Sequence, residues 1–383
     1  RRQRQMCIRD SIKMGVILGF TGPIESLTPD MGGSAEVAFK EASDSGLLLG
    51  GQKIVSVRAD STCIDNAAAT AAAERLVTAE KVAGIMGADC SGVTTAVANN
   101  VAVPNGVPMI SPSATSPALT TIADNGYFFR TAPSDARQGQ VLASITVERG
   151  ITSVAVTYVN SDYGKGLSDS FGKAFQALGG TVTISVPHET GKADYSAEVA
   201  SMDSAGGDAM AVFGYVNQGG PGIMQASLDS GSFDKFILAD GMYGDDLLTN
   251  VEGDLTGTFG TVPGTDSKGA ATYADMANAA GLKGSGPFTG ESYDAAALLI
   301  LAMQSAGSTD GAAIASNVMG VANAPGEKIM PGELAKGLRI LANGGAVDYV
   351  GATNVELTGV GEASGSYREF EIRNKAFQTV RFR

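Results

Sequence analysis

Two clusters of small hydroxyl residues hold the groups in this chain best suited to chemistry. One is Cys90-Ser91-Gly92-Val93-Thr94-Thr95; the other, some twenty residues on, is Met109-Ile110-Ser111-Pro112-Ser113-Ala114-Thr115-Ser116-Pro117. Each follows an apolar run, at 82–86 and 107–110, and opens onto an expected helix or turn. Hydroxyls and free backbone N–H groups at such a junction receive a small anion such as a carboxylate. On consecutive strands of a parallel sheet the two clusters would share one crevice. Either cluster alone reads equally well as ordinary helix caps; the pair is more informative.

Catalysis has no comparable support. His188 is the sole histidine; it sits in the polar stretch Pro187-His188-Glu189-Thr190 and reads as a loop residue. There is no Gly-x-Ser-x-Gly elbow, and one histidine with three scattered cysteines makes no zinc site. No P-loop is present, and Gly164-Lys165-Gly166 lacks dinucleotide-fingerprint spacing. No acid–base carboxylate pair stands out. The expectation is therefore a protein with no metal, no cofactor and no enzymatic activity. A net charge of −13 argues against nucleic acid and against an anionic membrane surface, and reads as solubility. No apolar run reaches the length of a membrane-spanning helix.

The elements that must position these residues follow from periodicity. A chain of 383 residues suggests two domains. Apolar strands alternate with Ala-rich helices, the pattern of parallel α/β domains. Strands are expected at 13–18, 53–58, 82–86 and 107–110, then at 153–159, 181–186, 209–213, 235–238 and 258–262. Helices are expected at 33–45, 66–80, 93–103, 136–149, 166–177, 195–205, 222–229, 269–280 and 293–306. Near-continuous apolar strands are buried on both faces, as in doubly wound sheets. Two such units stand in series, and the segment from Ser292, with no strands expected of its own, must complete one of them. In the second unit Tyr163, Tyr215 and Asp240 fall at C-terminal strand ends, where open α/β sheets bind ligands. The alternatives are packed tyrosines with satisfied hydroxyls and an Asp serving as a helix cap.

The order and spacing of these residues resemble the type I periplasmic binding proteins, specifically the leucine/isoleucine/valine-binding group of ABC importers. The resemblance runs through Ile12-Lys13-Met14-Gly15-Val16, Thr21-Gly22-Pro23, the Cys63 region, Cys90-Ser91, Ile110-Ser111-Pro112 and Phe129-Arg130-Thr131. It continues through Tyr163-Gly164-Lys165-Gly166-Leu167, Phe213-Gly214-Tyr215 and Ser292-Tyr293-Asp294-Ala295. It implies an α/β fold of two doubly wound parallel-sheet lobes joined by a three-strand hinge. The lobes would be 12–131 plus 263–350 and 132–262 plus 351–383, behind a tail at 1–11 that reads as a leader or cloning remnant.

The resemblance also implies a Cys63–Cys90 disulfide and an oxidising compartment, two buried free thiols being the alternative. Cys7 would remain unpaired. By the same resemblance Ser91, Ser113 and Thr115, with Ala114 beside them, hold an amino acid's carboxylate. Tyr163, Tyr215 and Asp240 close over it, Asp240 pairing with the ammonium, and Leu27, Cys90 and Phe288 meet the ligand side chain. Two positions depart from the pattern: Asp240 stands where the family more often has Glu, and Leu27 where leucine-binding relatives carry an aromatic ring. Glu25 either faces solvent or reaches a polar ligand tail. The implied function is a monomeric, periplasmic solute-binding subunit that captures a small or aliphatic, branched-chain-like amino acid and docks on a membrane ABC permease. A soluble sensing partner of a membrane receptor, or a binder of amides or aromatic acids, are the alternatives on the same fold.

Overall fold

The computed structural model describes residues 11–383. Cys7 and, apart from Ser11, the expected tail lie outside the described residues. Five strands build the first sheet in chain order: β1 Ile12–Leu18, β2 Ile54–Asp60, β3 Ile85–Gly87, β4 Met109–Ser111 and β5 Phe128–Pro133. Five more begin the second: β6 Ser153–Val159, β7 Thr181–His188, β8 Ala209–Phe213, β9 Phe236–Leu238 and β10 Phe259–Pro263. The remainder are β11 Glu327–Ile329, β12 Val347–Tyr349, β13 Glu362–Ala363, β14 Tyr367–Arg373 and β15 Ala376–Phe382.

The first sheet has the order β13-β5-β4-β3-β1-β2 and is parallel throughout. The second has the order β15-β14-β10-β9-β8-β6-β7, parallel from β7 to β10 and antiparallel at β14 and β15. Both are doubly wound. Central strands such as Ala-Met-Ala-Val-Phe in β8 are buried at every residue, as a sheet covered on both faces requires. The helix Thr289–Ala306 is buried continuously from Glu291 to Gln304, because its Ala-Ala-Ala-Leu-Leu-Ile-Leu-Ala-Met run is apolar all round. Side-chain caps fix helix starts: the Ser161 hydroxyl accepts from the Gly164 N–H (3.2 Å) and opens the helix Asp162–Ala177.

The structure departs from expectation at three places. The segment after Ser292 does carry strands: β11 and β12 pair in a small parallel sheet, and β13 joins β5. The chain therefore stays with the first sheet to Ala363 and enters the second at Tyr367, so the third crossing falls there rather than near 350. A two-residue strand leaves no periodicity to read. The C-terminal hairpin was also not expected; its turn is Asn374-Lys375, both with positive φ, which suits the twist of a two-residue hairpin loop. Finally, His188 is not a loop residue. It ends β7, is buried, and its Nδ1 pairs with the Thr157 hydroxyl at 2.9 Å. Burial lowers its pKa to about 4, so it is neutral at neutral pH.

Candidate ligand-binding site

In each sheet the strand order reverses beside the first strand, between β1 and β3 and between β6 and β8, and the loops beyond these strand ends face each other across the cleft. Asp89 assembles the first-lobe side. It is buried, and its carboxylate accepts from the Gly19 N–H, from the Ser61 hydroxyl (2.9 Å) and from the Cys90 N–H (2.9 Å). One side chain thus gathers the ends of β1, β2 and β3. The Cys63–Cys90 disulfide is formed beside it, with Cα atoms 5.1 Å apart. Ser91 begins the helix Ser91–Val97; its hydroxyl accepts from the Ser116 N–H (3.1 Å), which leaves its own proton to donate. The Ser113 hydroxyl donates to the Asp89 carbonyl (3.1 Å), so a ligand meets its lone pairs rather than its proton.

Arg130, at 1 % exposure, anchors the second hydroxyl cluster. Its guanidinium donates to the Ala114 carbonyl (3.0 Å), the Ser116 carbonyl (2.8 Å), the Thr120 hydroxyl (2.9 Å) and Glu362. Ala114 is consequently spoken for at both backbone groups, since its N–H donates to the Ser111 hydroxyl at 3.0 Å.

The second lobe presents stacked Tyr163 and Tyr215, their ring centroids 5.4 Å apart and planes 20° off parallel. The Tyr163 hydroxyl accepts from the Gly241 N–H (3.2 Å) and reaches an Asp240 carboxylate oxygen at 3.4 Å, a long contact. Asp240 opens a short turn after β9 and is 3 % exposed. Burial pushes both tyrosine hydroxyls upward, so both are protonated donors.

Asp135 is the unexpected member. It is the first residue of the helix Asp135–Glu148, directly beyond the first hinge crossing, and is fully buried. Its N–H donates to the Thr115 carbonyl (2.8 Å), yet neither carboxylate oxygen has a hydrogen-bond partner among the described residues. Burial, and then the charge of Asp240, raise its pKa well above the carboxylate range; the nearby Thr115 hydroxyl and Arg130 only partly oppose this. Burial raises Asp240 likewise. Two carboxyl groups removed from water beside one another strongly favour a cation between them. The Thr115 hydroxyl and the Gln138 carbonyl oxygen are also buried without partners, so the unmatched polar groups cluster here.

Ile24, Leu27, Met31, Asp89, Cys90, Ser91, Ser113, Tyr163, Tyr215, Asp240, Gly241 and Phe288 line one cavity of about 30 Å³ between the lobes, room for about two waters. Eight of the expected residues therefore share its wall. Ala114 and Thr115 stand behind the wall, Thr115 beside Asp135. Phe288 holds a positive φ of 58° to place its ring there, a conformation unfavourable for a bulky side chain. Glu25 is exposed and accepts from the Gly22 N–H (3.3 Å). Ile24, Met31, Asp89, Gly241 and Asp135 lie outside the expected set. Asp135 had one sequence signal, a Ser-Asp helix start at a lobe crossing; Ile24 and Met31 depend on how a loop folds back. A larger hollow of about 690 Å³ lies at the opposite end of β1, beside Ser11 and Lys13, away from these groups.

Comparison with known proteins agrees with this geometry. The model of the periplasmic binding protein family matches residues 11–334. The chain is 26 % identical over 377 residues to a chemotactic signal transduction system substrate-binding protein of Halobacterium salinarum, covering 96 % of this chain and 88 % of that one. It is 30 % identical to a Leu/Ile/Val-binding protein homolog of Brucella abortus, covering 78 % and 80 %. Among solved structures, a leucine-binding protein of Thermotoga maritima superposes with a TM-score of 0.81 at 24 % identity, covering 97 % and 98 %. A solute-binding protein of R. palustris in complex with 4-hydroxybenzoate superposes at 0.77 and 19 %, covering 98 % and 97 %. Two doubly wound lobes around a shared cleft, matched along most of the chain, place this protein in the periplasmic binding protein family, whose members bind solutes and are not enzymes.

Proposed function

We propose that the protein is the extracytoplasmic solute-binding subunit of an ABC importer and captures a small or aliphatic α-amino acid between its lobes. The observation that carries this reading is the buried pair Asp135 and Asp240, two carboxyl groups raised by burial with no cation bonded to either among the described residues. An α-ammonium group in the cavity would meet Asp240, with Asp135 behind it adding negative charge, and a charge-assisted hydrogen bond is worth about 1.5–3 kcal/mol. The free proton of the Ser91 hydroxyl and the two tyrosine hydroxyls suit the carboxylate. Ile24, Leu27, Met31 and Phe288 suit an apolar side chain, around which the lobes must stand further apart than the cavity of about 30 Å³ allows. Relatives named for Leu, Ile and Val binding support the ligand class, and membership of the same family supports the permease partner and the periplasmic location.

Both lobes contribute to the cavity, so ligand contacts of the second lobe exist only when the lobes are closed. That is the differential affinity hinge closure requires. The test is calorimetric titration of ligand-stripped protein with L-valine, L-leucine and L-alanine. Asp240→Asn and Asp135→Asn are each expected to weaken binding about 10- to 100-fold, one lost charge-assisted bond. Affinity unchanged in both variants would contradict the reading.

A sensing role has one specific observation in its favour, the likeness to a chemotactic system's substrate-binding protein across 96 % of this chain. The ligand chemistry is the same in that case. An aromatic acid is disfavoured here, because a ligand with a carboxylate and no cation would bring a third acid toward Asp135 and Asp240.

A further inference from the structure

A second cavity, of about 150 Å³, lies at the hinge rather than in the cleft. It is bounded by the crossing segment after β10, the helix Lys268–Ala279, the start of the helix Thr289–Ala306, and the hairpin strands β14 and β15. Both lobes contribute: Glu291 comes from the first and Arg368 from the second. Most polar groups on the wall are already satisfied within the protein. The Tyr273 hydroxyl is bonded to Ser34 (2.6 Å), the Thr289 hydroxyl donates to the Gly286 carbonyl (2.9 Å), and the Thr353 hydroxyl donates to Asp294 (2.7 Å).

Two groups are left. Glu291 is 5 % exposed, and its carboxyl makes no hydrogen bond or ion pair to another side chain among the described residues. The Arg368 Nε–H is buried without a partner, while the guanidinium lies over the Tyr243 ring at 4.8 Å. The two groups line the same cavity, and no ion pair joins them among the described residues. A buried donor left without a partner costs free energy that a bound group would recover, and the Glu291 carboxyl, met only by its own backbone N–H, has room for a further hydrogen bond. Burial holds Glu291 up at about 8, with Asp294 acting in the same direction and Arg368 against it. Over the neutral range Glu291 therefore offers an O–H donor, and the cavity carries the net positive charge of Arg368.

We propose that this hinge cavity is a second binding site, for a small aliphatic carboxylate held between the Arg368 Nε–H and the Glu291 carboxyl. Donors and one positive charge face the guest from two sides, which is the complement of a carboxylate rather than of a cation. The apolar remainder, Ala270, Ala274, Ala352 and the Tyr273 ring, meets a short alkyl chain. A volume of about 150 Å³ is that of a cavity accepting a benzene-sized guest, which admits acetate through butyrate. A guest bridging Glu291 and Arg368 ties the lobes together at the hinge and favours the conformation in which the cleft is closed. The site does not rest on the amino-acid reading of the cleft.

Saturation-transfer NMR with sodium propionate as the probe, and sodium chloride at matched ionic strength as the control, tests this on the full chain. Saturable binding is expected in the wild type and in Ser91→Ala, which removes the hydroxyl proposed to meet a carboxylate in the cleft. At least a tenfold loss is expected in Arg368→Gln and in Glu291→Leu, whereas Glu291→Gln, which keeps a neutral donor, is expected to bind. No saturable propionate signal in the wild type would overturn the proposal. So would binding that survives both Arg368→Gln and Glu291→Leu, or binding lost in Ser91→Ala alone, which would locate the carboxylate in the cleft.

Discussion

At the scale of single residues the protein is defined by acids kept out of water. Asp294 is fully buried and accepts from the Tyr349 hydroxyl (2.7 Å), the Ala352 N–H (2.8 Å), the Thr353 N–H (2.8 Å) and the Thr353 hydroxyl, yet burial still holds its pKa up at about 6. Glu291 is held at about 8, and Asp135 and Asp240 are raised as well. An acid with a raised folded-state pKa binds its proton more tightly folded than unfolded. Its stabilising effect is complete below the unfolded value, near 4, and is lost as pH rises through the folded value. His188, lowered to about 4, works in the opposite sense between about 6.5 and 4, but it is one group against four. The ligand-free protein is therefore expected to melt at a higher temperature at pH 5 than at pH 8 in calorimetric scans, while amino-acid affinity falls over the same acidification. A ligand-free melting temperature that rises from pH 5 to pH 8 would refute the assignment of these acids. The tyrosines and Asp240 were legible in sequence because strand ends announce themselves; Asp135 was not, because a Ser-Asp start reads first as a cap.

At the scale of elements the crevice is a set of loops pinned by few side chains. Asp89 ties three strand ends, Arg130 ties the turn at Ala114–Ser116 to β5 and to Glu362, and the disulfide ties the loop after β2 to the helix after β3. The cysteines are 27 residues apart, and closing a loop of that length stabilises by about 3.5 kcal/mol in the chain-entropy model. Cys63→Ser paired with Cys90→Ser is expected to lower the denaturation free energy by about that amount in urea titrations. It should also weaken ligand binding, since Cys90 is on the cavity wall. Stability unchanged by the double substitution would mean the loops are held by Asp89 alone. The pairing came from family likeness, because spacing does not choose between a bridge and two thiols. The long apolar strands were plain in the sequence. The short β11, β12 and β13 were not, since three residues or fewer show no period, and they take their conformation from partners already in place.

At the scale of the whole molecule the two lobes meet over the cleft as well as at the hinge. The Asn217 side-chain oxygen on the second lobe accepts from the Ser26 hydroxyl (2.9 Å) and N–H (3.2 Å) on the first, and the Asn217 N–H donates to the Pro23 carbonyl (3.0 Å). None of these residues lines the cavity, so the contacts favour the closed form without touching the ligand. Asn217→Ala is expected to weaken amino-acid binding several-fold, each such bond being worth about 1 kcal/mol. Small-angle scattering should show the ligand-free variant more expanded than the wild type. Equal radii of gyration and equal affinities would remove Asn217 from the closure mechanism. The two-lobed architecture could be read from alternation and length. The third crossing, between Ala363 and Tyr367, could not, because it depends on β13 choosing the first sheet.

The measurement that bears most directly on the central claim pairs a ligand with its own deaminated analogue. Ligand-stripped protein would be titrated calorimetrically with L-valine and with isovalerate, which keeps the carboxylate and branched chain but lacks the ammonium. The expected result is saturable valine binding, about 10- to 100-fold weaker in Asp240→Asn, and no isovalerate binding that valine displaces. Isovalerate competing with valine at comparable affinity, or valine binding indifferent to Asp240→Asn, would contradict the assignment of Asp135 and Asp240 as the seat of an ammonium group.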